Sequence, residues 1–99
     1  MKRGSTPTHH FTLPFDGEVA SRIEITYSQN GEVVLQKDEY DCKVSGNVIS
    51  TTLSQEDTFL FDASMNVEIQ IRVKDKSGTV LESEIMCIRC GRCLSEEVL

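Results

Sequence analysis

Apolar and polar side chains alternate at every second position along most of this chain, in segments too short for stable helices, and the pattern predicts a domain built from strands. Between Arg22 and Ser28, Ile23, Ile25 and Tyr27 fall on one face of an extended chain while Glu24 and Thr26 fall on the other. Asn30-Gly31 follows at once, a dipeptide suited to the positive φ values of a type I′ turn, and Val33, Val34 and Leu35 lie beyond it. The stretch predicts a β-hairpin. The same grammar recurs where Asp41 to Val44 leads through Ser45-Gly46-Asn47 into Val48 to Leu53, a second hairpin with turn-tolerant residues at its tip. Val67, Ile69, Ile71 and Val73 alternate with Glu68, Gln70, Arg72 and Lys74, the cleanest strand with one buried face. Lys76-Ser77-Gly78 then turns the chain into a further strand over Thr79 to Ile88.

Between these segments, Ser54 is placed to cap a single helical turn over Ser54-Gln-Glu-Asp57, with a short buried strand expected across Thr58-Phe-Leu-Phe61. Strand segments recurring every ten residues or so, with turn chemistry between them, predict an all-β fold: an immunoglobulin-like β-sandwich or small open barrel of about seven antiparallel strands. With no Trp in the chain, the Cys…Trp…Cys signature of antibody domains is absent. Residues 1–9 carry Gly4, Ser5 and Pro7 and no apolar periodicity, so they read as a flexible N-terminal arm that a partner would order. Residues 10–99 are expected to form the single β domain.

The 99 residues suffice for one hydrophobic core, and with 38% apolar residues and 6% aromatics that core must be lean. A lean domain gains from partners or self-association, which supply further burial. Ten basic against sixteen acidic residues give a net charge of -6, which repels phosphate backbones and anionic headgroups, so neither nucleic acid nor a membrane surface is expected as a partner. Lys2 and Arg3 are followed only by the short, interrupted apolar run Phe11 to Phe15, too short for a signal peptide core or a membrane span. Synthesis in the cytoplasm is the expectation.

Specific chemistry could reside only in the cysteines. Cys87, Cys90 and Cys93 lie together and Cys42 stands apart. The run resembles the opening of a bacterial iron–sulfur motif, but Glu97 stands where the fourth Cys would be. Cys87-x-x-Cys90-Gly91 has the shape of a zinc knuckle, and Cys93 with Cys42 would complete a four-thiolate zinc set, although no second, separate Cys-x-x-Cys pair exists elsewhere in the chain. A disulfide from Cys42 to one of the three is a further alternative. The fourth reading makes all of them small hydrophobes on the last strand, with a bulge or turn near Gly91 because a spacing of three places Cys87 and Cys90 on opposite faces. The last reading carries most weight, so no cofactor is expected, zinc being the exception kept in view.

Other polar clusters read more plainly. His9 and His10, as neighbours in an extended arm, point to opposite sides and are expected to be exposed rather than metal-binding. Asp38, Glu39 and Asp41 offer oxygen ligands for calcium but lack the Gly and downstream Glu of a dedicated loop, so a solvated turn is expected. Only two histidines exist, and neither Ser nor Cys has a base and carboxylate placed beside it, so catalysis is not expected.

Several stretches together resemble small proteins encoded among virion genes of phages and prophages of gut Firmicutes. They are Lys2-Arg-Gly-Ser-Thr-Pro-Thr8, Phe11-Thr-Leu-Pro-Phe-Asp16, Ile25-Thr-Tyr-Ser-Gln-Asn-Gly31 with Val33-Val-Leu35, Gly46-Asn-Val-Ile-Ser50, Leu53-Ser-Gln-Glu-Asp-Thr58, Val67-Glu-Ile-Gln-Ile-Arg-Val73 and Glu96-Glu-Val-Leu99. The resemblance runs nearly end to end; the three closing cysteines depart from it, standing where apolar or small residues are the pattern. It implies a non-enzymatic structural or accessory virion protein of the tail, baseplate or another external assembly, made in the bacterial cytoplasm and incorporated into the particle. Its partners would be other virion proteins and further copies of itself. The rival expectation is a free-standing immunoglobulin-like domain binding a carbohydrate or a host surface, which exposed aromatic rings would favour. A small zinc-stabilised domain is the third.

Overall fold

A computed structural model describes every residue from Met1 to Leu99. Eight strands and one short helix follow in the order β1 (Thr8–Thr12), β2 (Ala20–Gln29), β3 (Glu32–Asp38), β4 (Cys42–Ser45), β5 (Val48–Thr52), α1 (Gln55–Phe59), β6 (Val67–Asp75), β7 (Val80–Glu82) and β8 (Met86–Ile88). All strand pairings are antiparallel. They form two sheets: a smaller one ordered β1-β5-β4 and a larger one ordered β3-β2-β6, with β7 and β8 in turn along the far edge of β6. The fold is therefore a sandwich of two layers rather than a closed barrel. Naming β1 to β7 as strands B, C, C′, D, E, F and G gives B-E-D facing C′-C-F-G, the immunoglobulin order without a formed strand A.

The two hairpins expected from sequence are present. Asn30 and Gly31 take φ of 50° and 79°, the sign pattern of a type I′ turn joining β2 to β3. Gly46, at φ 57° and ahead of Asn47, makes the two-residue turn between β4 and β5. The alternation read in β2 and β6 buries Ile23, Ile25 and Tyr27 against Val67, Ile69, Ile71 and Val73, and the smaller sheet closes over them with Phe11, Ile49 and Leu53. Each aliphatic side chain so buried contributes about 1.5–3 kcal/mol, which is what holds two thin layers together.

Three expectations are corrected. The N-terminal arm is not free: β1 begins at Thr8, and the residues before it run along their own domain. Lys2 bridges Gly91 in parallel, the Arg3 N–H donates to the Gly91 carbonyl at 2.9 Å, and the Gly91 N–H donates to the Met1 carbonyl at 2.7 Å. The Arg3 guanidinium donates to the Phe59 carbonyl at 3.1 Å, lies over the Phe59 ring and pairs with Glu96. These ties are polar and backbone-mediated, so apolar periodicity carries no trace of them.

Thr58 to Phe61 is not a strand. Ser54 and Asp57 form a reciprocal capping box that starts α1 and carries the helical turn through Phe59, leaving Leu60 exposed and burying only Phe61 of the pair. The third correction concerns Thr79 to Ile88. The register against β6 changes by one residue between Glu82 and Met86, so Ser83 to Ile85 bulge outward. Ser83 repairs the ladder there, its hydroxyl accepting from the Ile71 N–H at 3.1 Å and its N–H donating to the Ile71 carbonyl at 2.9 Å.

Candidate interaction surface

The open flank of the sandwich, where β1 faces β7 and β8, is where strand A of an immunoglobulin domain would lie. Pro7 and Leu13 fix which way β1 points its hydrogen-bonding groups. The Leu53 N–H donates to the Pro7 carbonyl and the Leu13 N–H to the Asn47 carbonyl, so residues 7, 9, 11 and 13 bond towards β5. By the alternation of an antiparallel pair, His10 and Thr12 present their N–H and C=O groups away from it, to no strand. On the opposite side, the Asp75 N–H donates to the Thr79 carbonyl and the Ser83 N–H to the Ile71 carbonyl, so Val80 and Glu82 present theirs outward.

Between these two unpaired edges lies an apolar groove of about 290 Å³. Phe11, Leu13 and Phe15 form one wall, Ile71 and Val73 the floor, and Leu81 and Met86 the other wall. Leu81 is paired with Val73 and Met86 with Ile69, so both side chains stand on the inner face of the larger sheet. They are nevertheless 46% and 38% exposed, because no strand of the smaller sheet extends over them. Val80 and Ile85 add exposed apolar surface on the same edge. Glu82 borders the groove, but it stands opposite Arg72, which turns its carboxylate to the outer face of the sheet, 3.8 Å from the guanidinium.

The residues singled out by sequence lie elsewhere. Cys42 is half-buried on β4, its thiol pushed up to about 11 by burial and by the Asp41 carboxylate. Cys87 is exposed on β8, Cys93 half-buried, and Cys90 buried with its thiol raised by burial. All four are free thiols, and nowhere do three His, Cys, Asp or Glu side chains converge as a metal-binding group. The last strand ends at Ile88, and Gly91 serves as the pairing partner of Lys2.

His9 and His10 do point to opposite sides, but His9 is not an exposed arm residue. Its Nδ1 lies 2.7 Å from the Tyr27 hydroxyl, and burial lowers its pKa, with the N-terminal charge adding to the effect. Burial of Tyr27 raises that phenol in turn. His10 lies exposed beside Ser50 at 2.8 Å. Asp38 and Asp41 cap each other's backbone in a reciprocal box, and Glu39 accepts from the Ile23 N–H while pairing with Arg22. These carboxylates order their own turn, and Tyr40 between them is 89% exposed.

Sequence reasoning missed the groove, because its walls come from segments seventy residues apart, Phe11 on β1 and Leu81 on β7. The signal available was the run Val80, Leu81, Ile85 and Met86, which carries more apolar residues than one buried face needs. No helix is long and apolar enough to cross a membrane. Comparison with protein-family models, with curated proteins and with solved structures finds no match.

Proposed function

We propose that this domain is a non-catalytic interaction module, a structural or accessory protein of a phage or prophage virion that joins neighbouring proteins in a tail, baseplate or other external assembly. The observation that carries the interaction reading is the pair of inward-facing, solvent-exposed side chains Leu81 and Met86 between two unpaired strand edges. Apolar surface of that kind, rimmed by free backbone donors and acceptors, is what protein partners cover. The virion setting rests on the sequence resemblance. Mass spectrometry of purified particles, induced from a strain carrying the gene, tests it: peptides of this chain at a stoichiometry of structural proteins are expected. Recovery only from the particle-free lysate would overturn the virion setting.

A carbohydrate-binding or host-surface module is the second reading, favoured by one observation, the exposed Tyr40 ring at a turn tip. A sugar face stacks on such a ring, and Tyr40→Ala would then abolish binding on a glycan array.

A further inference from the structure

We infer that the His9–Tyr27 bond is an acid-sensitive latch between the two layers: protonation of His9 lets β1 part from β5 and from the larger sheet while the rest of the sandwich stays folded. The inference goes beyond the interaction reading and does not depend on it.

Connectivity is the first argument. The two sheets pack through apolar side chains, and a single hydrogen bond joins a strand of one to a strand of the other, between His9 Nδ1 on β1 and the Tyr27 hydroxyl on β2 at 2.7 Å. Tyr27 is fully buried, with Phe61 edge-on to its ring, and its hydroxyl has no other partner, so the phenol donates and Nδ1 accepts. Neutral His9 therefore carries its proton on Nε2. A second proton, at Nδ1, turns the acceptor into a donor and strands the phenolic hydrogen inside the sandwich.

Nothing around the pair balances the new charge. Thr51 of β5 stands opposite His9 with its hydroxyl donated to the Asp41 carbonyl, and Cys42 follows on β4 as a thiol that burial keeps protonated. Leu35 of β3 and Ile69 of β6 flank Tyr27 across the larger sheet. The carboxylate that faces the phenol, Asp57 on α1, already holds the Lys37 ammonium of β3 at 2.9 Å and the Ser54 N–H. The other groups whose charge reaches His9, the Met1 ammonium and His10 when protonated, oppose its protonation.

Relief lies in solvent, and β1 can reach it. As an edge strand β1 pairs only with β5, so one ladder opens, the His9 ring enters water, and Phe11 leaves the wall of the groove. A proton shifts this equilibrium only by its preference for the open state. With an ordinary histidine value near 6.5 in that state, the shift reaches about tenfold at pH 5.5.

Amide protection factors of the full-length chain at pH 7.5 and 5.5 test the latch. His9, Phe11, Ile49 and Thr51, whose backbones bond between β1 and β5, should be less protected than Glu24 and Thr26 at both values and should lose about a further tenfold on acidification. His9→Gln, which keeps an acceptor for the phenol but does not titrate, should abolish that loss. Tyr27→Phe should speed exchange of the same four amides about fivefold at pH 7.5. The imidazole nitrogen spectrum, which needs no variant, should show the Nε2–H tautomer with Nδ1 as acceptor. Protection of the four amides equal to that of Glu24 and Thr26 would mean that the sandwich opens only as a whole and would overturn the inference. So would no loss on acidification, a loss that persists in His9→Gln, unchanged exchange in Tyr27→Phe, or an Nδ1–H tautomer.

Discussion

Replacing Thr58 by Val tests whether the N-terminal segment belongs to its own domain. Thr58 is fully buried, and its hydroxyl donates to the Ser5 carbonyl at 2.8 Å and to the Gln55 carbonyl at 3.2 Å. Valine has nearly the same shape, so packing around α1 is retained and the change removes one donor. The Gln55 carbonyl is left with its helical partner, whereas the Ser5 carbonyl loses its bond inside the fold. An acceptor left unmet in the interior costs about 1–3 kcal/mol, and for a domain of this size each kcal/mol lowers Tm by about 4–8 °C. The segment has a way to reduce that cost. Residues 1–6 can lift from Gly91 and hydrate Ser5, which gives up the Arg3 and Gly91 backbone bonds instead. Urea unfolding followed by far-ultraviolet circular dichroism, together with amide exchange at Arg3 and Gly91, separates the two routes. A lower midpoint, faster exchange at these two amides, or both, is expected. An unchanged midpoint with unprotected Arg3 and Gly91 amides in the unmutated protein would refute the docking of this segment on its own domain.

Further outcomes follow from the same geometry. His9 is held below its ordinary pKa, so the unfolded chain takes up the proton first; stability is complete above the ordinary histidine value and is lost as pH falls through it. The urea midpoint should therefore drop between roughly pH 7.5 and pH 5.5, and His9→Gln should flatten that interval. Alkylation by iodoacetamide followed by peptide mapping should label Cys87 first and Cys42 and Cys90 last, since burial raises the latter two thiols; equal rates at all four would contradict their placement. Gly31→Ala meets no atom within 4 Å but must hold φ near 79°, so it should cost about 1–2 kcal/mol in thermal unfolding through backbone strain alone.

What could be read from the sequence was what local periodicity encodes. Ile23, Ile25 and Tyr27, or Val67 through Val73, declare their buried face because a strand repeats every second residue, and Asn30-Gly31 declares its turn through φ. Ser54 likewise announced α1. What stayed hidden depends on contacts between distant residues. The docking of Met1 to Pro7 is made by backbone groups and by Arg3 on Phe59 and Glu96, none of which leaves a periodic mark. The capping box extended α1 into Thr58 and Phe59, overriding a Phe-rich run that reads as a strand. The bulge at Ser83 to Ile85 depends on a serine hydroxyl replacing a ladder bond across the sheet. The groove is hidden for the same reason, since Leu81 and Met86 read as ordinary core positions until the strand that should cover them proves absent.

Residue-resolved amide exchange of the free, full-length chain tests the central claim, a sandwich with one open flank, most directly. Glu24, Thr26, Gln70 and Arg72, whose backbone groups bond between the two central strands of the larger sheet, should be the slowest to exchange, and His10, Thr12, Val80 and Glu82 should exchange as fast as loop residues. Protection at His10 and Thr12 equal to that of the central strands would mean that the flank is already closed, and the groove with it.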